Sequence, residues 1–153
     1  MSIHSGSRQI LCHGLFLVLF GLVWGFAVPA TPHPRLALGA HIQFMTNGML
    51  FLILAIALLS LPHRVGIKSV AVMVVSAWLT WTMALSEVAN SWWGTRQVLP
   101  IAAAQAGVPG GLPWQELIVT LTHLAAGVGL IIAWSLLIIG VLRRSPEPME
   151  NRR

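Results

Sequence analysis

Four long apolar runs, Ile10 to Val28, Leu36 to Leu61, Val65 to Asn90 and Glu116 to Leu142, constrain this chain more than any other feature. Each is about as long as, or longer than, the ~20 residues that cross a ~30 Å hydrocarbon core. In lipid, backbone N–H and C=O groups have to be paired within the protein, and runs of this length achieve that as helices. The expected fold class is all-α, a four-transmembrane-helix bundle over residues 1–144 with a polar tail, 145–153, expected to be disordered. Only 8% of the 153 residues are charged, against ~25% in an ordinary soluble domain, so a water-facing globule cannot be furnished from this supply. The length suits one compact unit, and any chemistry has to sit between membrane helices.

The first run exceeds the ~7–15 residue core of a cleaved signal and is read as a retained helix. Pro29, Pro32 and Pro34 end it, Leu61 to Arg64 form a tight turn, and Gly107 to Pro113 break the chain before the last helix. The long connection, Ser91 to Gln115, contains an apolar piece at Val98 to Ala106 that is too short to span. Seven of the nine Lys and Arg (Arg8, Arg64, Lys68, Arg143, Arg144, Arg152 and Arg153) fall on one side, against Arg35 and Arg96 on the other. This asymmetry predicts a multi-pass membrane protein with both termini cytoplasmic and the long connection outside, flanked by an interfacial belt of Trp92, Trp93 and Trp114. The net charge of +5 is therefore a topology signal. It forms no basic stripe, so the expected partner is the lipid bilayer and not nucleic acid. Gly14, Gly21 and Gly25 on the first helix, and Ala125 with Gly129 on the fourth, mark close helix contacts, within the bundle or between subunits.

With so few polar side chains, those inside the spans are informative, because an ionisable group in hydrocarbon needs a partner or a cavity. They are His41 and Asn47 on helix two, Glu87 on helix three and His123 on helix four. At ~1.5 Å per residue, His41 lies about 8 Å and His123 about 10 Å below the outer ends of their helices. Ser76, Thr80, Met83, Glu87 and Asn90 share one stripe of helix three, and Glu116, Thr120, His123 and Gly127 share one of helix four. Two polar stripes at one depth imply an internal pocket. On helix two, His41, Met45 and Gly48 fall on one face and Gln43 and Asn47 on another, about 120–160° away. A helix that is polar on two sides suggests a subunit interface.

Two readings of these residues stay open. An intramembrane His is often a packing group bonded to a carbonyl, and a Glu often the partner of a cation. Alternatively, a neutral His41, with Gly48 leaving room for a flat ligand near the backbone, suits a haem iron. His4, His13, His33 and His63 are read as structural or exposed. A single cysteine, Cys12, excludes an intrachain disulfide, and zinc motifs, aspartate and tyrosine are absent.

The segment Pro34-Arg35-Leu36-Ala37-Leu38-Gly39-Ala40-His41-Ile42-Gln43-Phe44-Met45-Thr46-Asn47-Gly48 resembles the Pro-Arg-x4-Ala-His-x5-Asn-Gly segment of bacterial hydroxylaminobenzene mutases. Leu11-Cys12-His13-Gly14-Leu15, Trp93-Gly94 and Leu99-Pro100-Ile101-Ala102 resemble that family too. Ala40-His41, Asn47-Gly48-Met49 and His13-Gly14 extend the likeness to the styrene oxide isomerases. The resemblance implies an isomerase that moves the hydroxyl of an arylhydroxylamine from nitrogen to the ortho carbon, giving a 2-aminophenol. From the isomerases it implies a homotrimer with ferric haem b, whose iron His41 ligates and which acts as a Lewis acid on a small aromatic substrate. Asn47 becomes a pocket residue, Glu87 the proton acceptor for the ring C–H, and Arg35 a partner for a haem propionate or an interfacial snorkelling group. The chain lacks the tyrosine that styrene oxide isomerases carry on helix three, which weighs against epoxide rearrangement by their arrangement. A different class, a haem b electron-transfer subunit with His41 and His123 as opposed axial ligands, remains an alternative, as does a structural subunit without cofactor.

Overall fold

The computed structural model describes residues 2–143, and every regular element among them is helical. Four helices are long and apolar enough to cross a membrane. They are α1 (Ile3–Ala27, prolonged by a 3-10 turn at Val28–Ala30), α2 (Pro34–Ser60), α3 (Ile67–Trp93) and α5 (Pro113–Leu142). The short α4 (Pro100–Ala106) lies in the long connection, within the apolar piece expected at 98–106. The expected tail, 145–153, falls outside the described residues.

The helices run past their apolar cores. α1 starts at Ile3 and not near residue 10, because Ser2 Oγ accepts the Ser5 N–H at 3.1 Å and supplies an N-cap. Proline opens α2, α4 and α5, at a position where its missing N–H leaves no partner wanting. The 27 residues of α2 span about 40 Å, more than the ~30 Å hydrocarbon layer, so both ends reach the headgroup level.

α1 pairs with α2, α3 pairs with α5, and α2 lies against α3 to join the two pairs. The α1–α2 contact is made by backbone. A Cβ on Gly14 would come within 2.9 Å of the Gly48 carbonyl oxygen, and one on Gly48 within 2.9 Å of the Val18 nitrogen. The glycine pattern of helix one is thus spent inside the chain, and Gly48 is closed off by α1. Trp24 Nε1 adds a bond to the Ala37 carbonyl at 2.9 Å. The core between the pairs is aliphatic and aromatic, with Ile10, Leu17, Phe44, Phe51, Leu54, Met73 and Ala77 all buried. The α3–α5 seam carries polar rungs instead: Ser76 Oγ donates to the Gly129 carbonyl at 2.9 Å, and Ser86 and Thr122 share a bond of 2.8 Å. Outward faces are apolar, as a lipid-facing surface requires; Val23 is 62% and Ile131 69% exposed.

The start of α1, the end of α5 and the Leu61–Gly66 connection share one end of the bundle, hereafter the terminal end; the long connection forms the loop end. At the loop end Glu116 has a task its sequence stripe does not reveal. Its Oε1 accepts from the Arg96 and Gly111 amides at 2.9 and 3.0 Å, and its Oε2 from the Gln97 amide at 3.0 Å. One carboxylate thereby ties both flanks of α4 to the first turn of α5. Trp93 and Trp114, paired edge to face at 5.1 Å, close the same corner. Glu116→Ala leaves three amides without that acceptor, so a loss of about 1–3 kcal/mol is expected. Hydrogen exchange should rise at residues 96, 97 and 111 while α1 and α2 stay protected; unchanged exchange there would refute the clamp.

Candidate functional site

His41, Glu87 and His123 lie toward the loop-end halves of their helices and Asn47 at the middle of α2, but the structure divides them between two sides of α2. His41 faces α1. Its Nδ1 lies 2.8 Å from the Gly21 carbonyl oxygen. A carbonyl accepts only, so Nδ1 donates, and in the neutral ring Nε2 keeps its lone pair. The ring rests on Gly25, where a Cβ would be 3.2 Å from His41 Cε1 and Nδ1. Gly21 and Gly25 thus form a seat, one by its carbonyl and the other by its missing side chain. His41 is half-buried, at an edge bordered by the exposed Leu38 and Ile42. Arg35, near the start of α2, donates its Nε to Gln105 Oε1 at 2.6 Å and so fastens α2 to α4.

The other group is interior. Glu87 is fully buried, and its Oε1 lies 3.1 Å from His123 Nε2. His123 Nδ1 donates to the Val119 carbonyl at 2.7 Å, so its Nε2 bonds Glu87 only when one further proton lies between them, carried by the ring or by the carboxyl. Glu87 Oε2 lies 3.2 Å from where a Cβ on Gly39 would stand, so the carboxylate presses on a bare stretch of α2. Gly39 and His41 are one rung apart in height but about 200° apart around the helix. Within one chain Glu87 therefore does not reach the His41 ring, and His41 and His123 do not face each other as two axial ligands would. The stripe of helix three is buried as expected, and Asn90 Oδ1 accepts from both the Thr95 N–H and Oγ1 at 2.8 Å.

Asn47 is buried too, and its Nδ2 donates to the Gln43 carbonyl and to Gln43 Oε1, both at 2.8 Å. The Asn47 amide N–H groups are thus taken up along the helix by Gln43. His63 is structural: Val65 N–H donates to its Nδ1 at 3.1 Å, and its Nε2 donates to the Leu58 carbonyl at 2.9 Å, closing the end of α2. His13, read from sequence as a packing residue, proves to be an acceptor of the Trp81 indole N–H at 3.1 Å. Its place in a His-Gly pair was the available signal. Among the described residues no three His, Cys, Asp or Glu gather as a metal cluster.

The residues around His41 meet the needs of a haem ligand. A ring whose Nδ1–H is held by a backbone carbonyl has a fixed tautomer and a fixed plane. Here the Nε2 belongs to a half-buried ring among apolar side chains. Gly48, expected to leave room for a flat ligand, is filled by α1, which corrects that expectation.

Comparison with known proteins follows the same residues. The profile described as styrene oxide isomerase matches residues 6–142. Hydroxylaminobenzene mutase HabA of Ectopseudomonas oleovorans is 30% identical over 136 residues, covering 88% of this chain and 97% of that protein. Hydroxylaminobenzene mutase HabB of the same organism is 28% identical over 154 residues, covering 95% of this chain and 90% of that protein. No solved structure matches.

Proposed function

We propose, on the premise that this chain belongs to the styrene oxide isomerase family and is an isomerase, that it rearranges an arylhydroxylamine such as hydroxylaminobenzene to a 2-aminophenol. The observation that carries the reading is the His41 seat, a neutral imidazole locked by Gly21 and Gly25 with its Nε2 open, within a chain similar over nearly its whole length to two hydroxylaminobenzene mutases. The reaction balances within the substrate. The N–O bond breaks, a C–O bond forms at the ortho carbon, and the proton lost from that carbon is matched by one gained at nitrogen. No redox partner is consumed.

In this reading His41 Nε2 holds haem b, and the group, when bound, supplies a Lewis-acidic ferric centre for the hydroxylamine oxygen or nitrogen. The chain's own part is to fix the imidazole, keep the surroundings apolar and so limit capture of the electron-poor ring by water. Arg35 stays at the headgroup level on Gln105. Asn47 and Glu87 act as positioning residues. Asn47 stiffens the middle of α2 through Gln43, and Glu87, held by His123, presses α2 at Gly39 and so sets the height and rotation of His41. The protein is further read as a multi-pass protein of the bacterial inner membrane with cytoplasmic termini, assembled as a homotrimer in which a second subunit covers the His41 edge.

The test uses purified protein in lipid nanodiscs, with its absorption spectrum recorded before and after phenylhydroxylamine and the products separated. A Soret band that shifts on addition, with 2-aminophenol formed and no oxygen or reductant consumed, is the expected result. Full activity without Soret absorbance or iron would remove the haem assignment, and no 2-aminophenol would remove the activity. The family's own description makes epoxide isomerisation the second reading. Styrene oxide assayed alongside decides between them, and this chain, which has no tyrosine, is expected to favour the hydroxylamine.

A further inference from the structure

A groove of about 460 Å3 runs between α1 and α3, walled by Phe16, Phe20, Trp78 and Trp81, with His13 and Cys12 along it and Gln9 at its end nearer the start of α1. It is distinct from the His41 edge. On α1 its residues lie about a third of a turn from Gly21 and Gly25, and its centre is roughly 10 Å nearer the terminal end. Its size is within the ~300–1,000 Å3 of small-molecule sites, and a cavity of ~150 Å3 already accepts benzene.

A lipid chain would suit the walls but not the histidine set among them. His13 is only 8% exposed. The Trp81 indole N–H donates to its Nδ1 at 3.1 Å, so the neutral ring carries its proton on Nε2 and offers it as a donor. Trp78 stands edge to face against the ring at 4.7 Å and holds its plane. Hydrocarbon cannot accept that N–H, and a donor left bare in an apolar setting is costly. Around it, Phe20 and Trp81 pack at 90° and present both ring faces and edges, the surroundings that a flat aromatic ring prefers.

We propose that this groove binds neutral single-ring aromatic molecules that carry a hydrogen-bond acceptor, with His13 Nε2–H bonding the acceptor and Trp81 fixing the tautomer that makes this possible. That the ligand is an arylhydroxylamine rests on the function proposed above. For such a substrate the groove is a loading site on the lipid-facing side, where an apolar aromatic partitions before it reaches His41.

Photolabelling of the full chain in nanodiscs with 3-azidobenzyl alcohol, followed by peptide mapping, tests this. Adducts are expected to concentrate on residues 9–20 and 78–81 and to fall under excess phenylhydroxylamine. His13→Phe should cut them about fivefold to tenfold, the share of one hydrogen bond, and raise KM by a similar factor with kcat within about twofold. On the unaltered protein, 3-azidotoluene, which lacks the acceptor, should label the groove more weakly by about the same factor. That arm stands even if His13→Phe fails to fold. Adducts spread evenly over the outward faces of all helices, or indifferent to the competitor and to the acceptor, would overturn the site. Competable labelling without rearrangement of phenylhydroxylamine would leave the site standing and remove the mutase reading.

Discussion

His41→Ala is expected to remove Soret absorbance from the purified protein and to lower the rate of 2-aminophenol formation by at least ~100-fold, the scale set by losing a metal ligand rather than its supporting shell. The fold should survive, because His41 is half-buried and its one bond to the chain is to the Gly21 carbonyl. The more discriminating variant leaves His41 in place. A Cβ on Gly25 would stand 3.2 Å from the imidazole, a contact that the ring has to yield to by tilting. Gly25→Ala should therefore weaken haem retention and shift the Soret position, and Gly25→Leu should displace the ring and approach the effect of His41→Ala. A Gly25→Leu protein with an unchanged spectrum would mean that the ring's seat has no part in holding the cofactor. A His41→Ala protein with full turnover would remove His41 from the mechanism.

The second large effect concerns stability. His123→Leu strips the partner from a fully buried carboxylate, and breaking a buried pair in this way costs about 3–5 kcal/mol. The thermal midpoint in detergent should fall clearly. Glu87→Leu combined with His123→Leu should recover most of it, since replacing both partners by apolar groups of similar volume is often neutral. This cycle also decides what Glu87 does. If the carboxylate accepts the ring proton, the double variant will be stable but slow by ~100-fold or more, and Glu87→Gln will be slow too. If, as the geometry indicates, Glu87 sets the rotation of α2 through Gly39, Glu87→Gln will keep kcat within about twofold. The double variant will then lose activity only as far as the His41 spectrum shifts. A single His123→Leu variant as stable as the parent would show that the pair bears no load.

Several elements were legible because they depend on local quantities. The four spans follow from hydropathy summed along the chain, and the structure extends them at starts supplied by Ser2, Pro34 and Pro113 and at the end of α3, which runs on to Trp93 before Gly94. The stripe of Ser76, Thr80, Met83, Glu87 and Asn90 was legible because one helix has one phase, and all five are buried together. Glu116 was placed in the corresponding stripe of α5, but its work with the amides of residues 96, 97 and 111 depends on how a loop folds back, which no periodicity encodes. His13 was set aside because a lone histidine is usually packing, and its indole donor comes from a helix 68 positions away.

The sequence by itself determined the number of long apolar spans, the buried polar stripe of α3 and, through the His41 to Gly48 segment, the family. Hydropathy and helical rise are additive along one chain segment and need no knowledge of a neighbour. Only the tertiary structure decided that His41 and Glu87, level in depth, stand on opposite sides of α2, that Gly48 is closed by α1, and that Asn47 is satisfied by Gln43. Helical phase fixes the angle between two residues of one helix, but which partner each face meets is settled by packing among helices. Here that packing is decided by bare glycine backbone at Gly14 and Gly48 on one flank of α2 and by a buried carboxylate against Gly39 on the other.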